Sequence, residues 1–133
     1  MSVTDLLPIY MERSAAVQTF WNFHITVSLA VLGFVTAAHS AVNVWPVQLL
    51  ISFAFVAFAL SNLGALAEVQ QQRHVLSGIM HRLADRTGEE DQQRLASLAS
   101  PPQVWKVRLF HLAMDCFVVA AVWLVPLLVQ VVL

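Results

Sequence analysis

Between Gln18 and Asn43 the chain runs QTFWNFHITVSLAVLGFVTAAHSAVN without a single Lys, Arg, Asp or Glu. As a helix rising about 1.5 Å per residue this stretch covers roughly 39 Å, against about 30 Å of bilayer hydrocarbon, so it predicts a tilted membrane-spanning helix. Its polar residues are what make it unusual. At 100° per residue Gln18, Asn22, Thr26, Gly33, Thr36, Ser40 and Asn43 form one stripe, interrupted by Leu29 and Ala37, while Trp21, His24, Ser28 and His39 lie on roughly the opposite side. Hydrocarbon offers no hydrogen bonds, so protein or water is expected on both sides, although Ser and Thr can return a hydroxyl to their own helix. With few other spans in the chain, a second copy of the same subunit is the expected neighbour on one side.

Two further spans follow the same logic. Asn43 is placed to cap a second helix, with Trp45 at the interface and Pro46 in the first turn, and Val47 to Ala67 again lacks charge. Small residues Ala54, Ala57, Ser61 and Ala65 share one of its faces with Glu68, which favours close helix approach. The last span starts near Val104 behind Trp105, Lys106 and Arg108 and contains Pro126, a local kink site. Only 11% of the residues are charged, against about 25% in a soluble domain, and the mean hydropathy is +0.72. A single membrane domain is expected. A net charge of −1 gives no basic or acidic excess, so nucleic acid is not an expected partner. Cys116 is the only cysteine and lies within a span, which excludes an intramolecular disulfide.

The polar segments complete an all-α, polytopic architecture. Residues 1–17 lack a positive n-region and an uninterrupted apolar core, so they are expected to stay in the protein as a short interfacial helix, capped by Thr4 or Asp5 with Pro8 in its first turn. The first span covers 18–43. The second covers 46–67 and continues to about residue 86, because Val69, Leu76, Ile79, Met80 and Leu83 keep an apolar stripe until Thr87 and Gly88. Thr87 with Glu90 suggests a capping box for a second helix over 88–100, which carries Leu95 and Leu98, and Ser100, Pro101 and Gln103 give a similar start to the third span over 103–133. This predicts a helical hairpin over 68–103 whose stripe covers its own partner helix or a neighbouring subunit. Arg73, Arg82, Arg86, Arg94, Lys106 and Arg108 all lie in or beside that connection, with Arg13 on the same side, so N-terminus and hairpin are expected to be cytoplasmic and the C-terminus opposite.

Depth then groups the ionisable residues. His24 lies three residues inside Trp21, and His111 and Asp115 lie six and ten residues inside Trp105. Asn62 and Glu68 approach the same level on the second span. An ionised carboxylate inside hydrocarbon is costly, so Asp115 should be protonated or held by a partner, with His111 one turn earlier on the same face. Three functions fit these residues. In the first, the polar stripe of the first span lines an ion-conducting pore in a homo-oligomer, and His24, His111 and Asp115 set selectivity or pH response. In the second, the protein is a non-catalytic subunit or scaffold that packs against other membrane subunits through interhelical hydrogen bonds. In the third, His24 and His111 bind a b-type haem or a metal ion. The first leads, with no cofactor expected. His74 and His81, two turns apart on the hairpin, read as a solvated face, and no hydrolase, phosphate-loop, dinucleotide or zinc-spacing motif argues for an enzyme.

Overall fold

The computed structural model describes residues 1–132. Among them are five helices and no strand: α1 Val3–Ala37, α2 His39–Val42, α3 Trp45–Thr87, α4 Glu90–Leu98 and α5 Val104–Val132. Three of these, α1, α3 and α5, are long and apolar enough to cross a membrane, at 35, 43 and 29 residues.

Several element boundaries differ from the expected ones. The first helix is unbroken through residue 17, so no change of secondary structure separates an interfacial segment from the first span. It ends at Ala37, and residues 39–42 form the separate turn of α2. Neither Thr4 nor Asp5 is the N-cap. Ser2 takes that place: its Oγ accepts from the Asp5 amide (3.3 Å), while Asp5 Oδ2 accepts from the Ser2 amide (2.8 Å) and hydroxyl (2.9 Å), a reciprocal capping box. Pro8 therefore falls in the second turn. Thr87 does not cap α4 either. Its hydroxyl turns back to the carbonyls of Leu83 and Ala84, Gly88 takes a φ of 67°, and α4 begins after Glu89 without a side-chain cap. Ser100 likewise donates to the Ser97 carbonyl, leaving the Gln103 carbonyl to accept the first amides of α5.

The chain forms two compact units, residues 1–20 with 65–107, and residues 21–64 with 108–133. The first packs the start of α1, the far half of α3 and α4 around Val3, Leu6, Tyr10, Met80, Ala84, Ala96 and Ala99. Polar contacts tie the same elements: Val3 N–H donates to Gln92 Oε1 (3.1 Å), Ser77 Oγ donates to the Ala99 carbonyl, and Arg73 reaches Tyr10 Oη (3.3 Å) and Gln70 Oε1 (3.0 Å). The α3 stripe and Leu95 thus cover one another within the chain, joined by the N-terminal residues. His74 and His81 are only partly a solvated face, since each ring contacts a carbonyl, that of Pro102 (3.0 Å) and that of Ser77 (2.8 Å).

The second unit is a three-helix bundle. Val35, Val42 and Val122 form one buried cluster, and Phe55, Ala59 and Val118 another. One polar contact here has a specific cause. Pro126 has no N–H to give the Val122 carbonyl four residues earlier, and buried Gln48 supplies the missing donor through Nε2 (3.4 Å). Gln48→Leu is therefore expected to cost about 1–3 kcal/mol, the penalty of a buried carbonyl left unpaired. Denaturation of the detergent-solubilised protein measures it, and Pro126→Ala in the same background should recover most of the loss.

A buried imidazole pair and a carboxylate form the candidate functional site

Helix periodicity puts His24 and Ser28 on the α1 face opposite its polar stripe, and this is the face the bundle buries, with exposures of 0% and 2%. On α5, His111 and Asp115 are one turn apart, and on α3 Phe55, Phe58 and Asn62 keep the three- and four-residue spacing of a single inward face. These positions meet in the second unit. The imidazoles of His24 and His111 lie ring against ring, centroids 3.9 Å apart and inclined by 31°. Phe58 stacks on the outer side of His24 at 6.0 Å, Trp21 sits edge-on at 6.1 Å, and Phe55 lies at 6.3 Å. His111 is fully buried and also faces Trp21, at 5.7 Å.

Hydrogen bonding is complete for one imidazole and absent for the other. His111 Nδ1 donates to Asp115 Oδ2 (2.8 Å), and its Nε2 accepts from Asn62 Nδ2 (3.3 Å), so both nitrogens are used in one neutral tautomer. His24 Nε2 lies 3.2 Å from Asp115 Oδ1, but the direction is wrong for a hydrogen bond. As a result His24 Nδ1, His24 Nε2 and Asp115 Oδ1 are buried without a hydrogen-bond partner, as is Ser28 Oγ one turn further along α1. Unpaired buried polar atoms cost about 1–3 kcal/mol each, so four in one cluster define a place shaped for something other than its own stability.

His24, His111 and Asp115 can each present one ligand atom, all within 4.8 Å of one another. Ligands at about 2.0–2.1 Å from a tetrahedral ion stand roughly 3.3 Å apart, so the two rings and the carboxylate must turn toward one another to close the set around one ion. Asn62 then holds the outer nitrogen of His111. Its amide serves either tautomer, by donating as it stands or by accepting when turned over.

Of the residues singled out from the sequence, His24, His111, Asp115 and Asn62 come together. Glu68 does not join them: it is exposed and belongs to the first unit, in a groove with Arg13. Gln18, Asn22, Thr26, Gly33, Thr36 and Ser40 are exposed, and Asn43 is half-buried. The Thr26 and Thr36 hydroxyls donate to the carbonyls of Asn22 and Leu32 one turn back (2.8 Å each), which satisfies them within α1. Phe55, Phe58 and Gln48 had no distinguishing sequence signal, being ordinary residues of an apolar span.

Compared with known protein families, with curated proteins and with solved structures, the chain matches none.

Proposed function

We propose that this multi-pass membrane protein binds one first-row transition-metal ion, of the Zn2+ or Fe2+ class, through His24, His111 and Asp115. The observation that carries the reading is the set of three donors within 4.8 Å of one another, in which neither His24 nitrogen nor Asp115 Oδ1 makes a hydrogen bond. Two imidazoles and one carboxylate suit borderline transition ions, whereas Mg2+ and Ca2+ favour all-oxygen shells. Three protein ligands also leave a position open for an exogenous ligand, unlike closed structural sites. The geometry favours a bare ion over haem, because the two imidazoles lie against one another at 3.9 Å and are walled by Phe58, Phe55 and Trp21, with no slot for a macrocycle between them.

A second reading has its own support. The polar stripe of α1 is left uncovered by the chain's other helices, which favours self-association along that face and an ion path between copies. Charge supports a cytoplasmic N-terminus and a cytoplasmic α3–α4 hairpin, since every Lys and Arg flanks that side of the spans.

Titration of the purified, metal-free protein with Co2+, followed by visible absorption, tests ion binding. Saturation at one ion per chain is the expected result, and Asn62→Leu should weaken it by about 10–100-fold, the usual effect of removing a group that orients a ligating His. A titration without saturation would overturn the reading, as would an affinity indifferent to His24, His111 and Asp115 together.

A further inference from the structure

Of the four orphaned atoms in the imidazole cluster, Ser28 Oγ alone lies outside the set of ion ligands. Its position follows from the register of α1 against α5. His24 meets His111, and seven residues further along each helix Val31 and Val118 belong to one packed cluster, so the two helices run in the same direction. Ser28 and Asp115 stand at matching steps between these pairs, four residues past the imidazoles and three before the valines. At about 1.5 Å of rise per residue both lie roughly 6 Å beyond the imidazole level, each on the face its helix turns inward. Ser28 Oγ can donate and Asp115 Oδ1 can accept, both atoms are buried, and yet neither hydrogen-bonds the other. Nor does Ser28 return its hydroxyl to the carbonyl one turn back, as Thr26 and Thr36 do.

We infer, resting on the ion-binding reading, that the Ser28 hydroxyl donates to an exogenous ligand in the open position of the ion, a small anion of the hydroxide or azide class. Charge selects an anion. A divalent ion with one carboxylate and two neutral imidazoles keeps a net positive charge, which is costly within a membrane span, and a monoanion cancels it. Hydrogen bonding selects the same class, because a hydroxyl not spent on its own helix has a proton to give to an anionic acceptor. Burial sets the size. His24 and His111 are fully buried, Ser28 and Phe55 nearly so, and Phe58 and Trp21 cover the imidazoles from outside. Asp115, its side chain 13% exposed, leaves only a narrow approach. An aromatic carboxylate would have to displace one of these walls from a close-packed interior.

The test uses the full chain in phosphatidylcholine nanodiscs, titrated first with Co2+ and then with sodium azide or sodium benzoate, while visible absorption reports the shell of the ion. Azide is expected to change the Co2+ bands and to saturate at one per ion, and benzoate to leave them as they are. Ser28→Ala should weaken azide binding by about tenfold or more, the usual effect of losing a hydrogen bond to a charged group, and weaken Co2+ binding far less, because the hydroxyl touches the fourth ligand rather than the ion. Ser28→Thr, which keeps a hydroxyl, should hold azide more tightly than Ser28→Ala. Co2+ bands indifferent to azide would overturn the Ser28 assignment and leave the ion site standing, as would equal azide affinity in the parent and Ser28→Ala. Benzoate bound as tightly as azide would overturn it too, and so would a Ser28→Ala protein that no longer binds Co2+. Absence of Co2+ binding by the parent would instead remove the ion reading and the fourth ligand with it.

Discussion

Asp115→Asn is expected to weaken Co2+ binding by about 100-fold or more, beyond the 10–100-fold typical of a supporting residue, because it removes the only anionic donor of the set. The asparagine keeps the volume and can still accept from His111 Nδ1, so the fold is retained while the charge is lost. His24→Leu should remove metal binding to a similar extent with the opposite effect on the metal-free protein. His24 is fully buried with neither nitrogen hydrogen-bonded, and a leucine there exchanges two unpaired polar atoms for apolar surface against Phe55 and Phe58. The metal-free variant should accordingly be as stable as the parent or more so. Thermal unfolding of parent and variant, each with and without Co2+, reads this directly: stabilisation by the ion should appear in the parent and vanish in His24→Leu. A metal-free His24→Leu protein that is less stable by several kcal/mol would mean that the imidazole has a structural role instead.

Met80→Ala is expected to destabilise the first unit by about 2–5 kcal/mol, the range for removing a long apolar side chain from a closed core. Met80 is fully buried among Val3, Leu6, Tyr10, Ala84, Ala96 and Ala99, so three chain segments lose contacts at once. Hydrogen exchange should show faster opening of residues 76–99 and of the first turns of α1 together, because one cluster holds them. Co2+ affinity should stay as it was, since Met80 touches none of the ligands. Faster exchange confined to α4 alone would show that the N-terminal residues are not part of that core.

Which parts of this were readable in advance follows from the physics of each signal. The three spans are legible because a long, strongly apolar run, uncharged in the first two and broken only by Asp115 in the body of the third, is a property of sequence alone, and the long α3 is legible because its stripe persists through Leu83. The grouping of His24, His111, Asp115 and Asn62 followed from comparing depth along helices, which works inside a bilayer because interfacial aromatics mark a common level. Depth does not give azimuth, and so it does not separate Glu68 from a cluster that Glu68 does not join. Cap identity is not legible where several capping residues stand close together: Ser2, rather than Thr4 or Asp5, holds the N-cap of α1 and pairs reciprocally with Asp5, while the Thr87 hydroxyl finds carbonyls of its own helix. The Gln48 contact with the Val122 carbonyl was out of reach, because it depends on which helix packs beside Pro126. The same holds for Phe55 and Phe58, whose role is set by the ring they face rather than by their type.

X-ray absorption at the metal edge of the zinc-loaded protein addresses the ion site most directly. The expected spectrum has the outer-shell scattering of two imidazoles with an oxygen donor from a carboxylate, at distances of about 2.0–2.2 Å, and loses the imidazole signature in a His24→Leu, His111→Leu double variant. An ion shell of oxygen alone, or an unchanged spectrum in the double variant, would place the metal elsewhere and contradict the assignment.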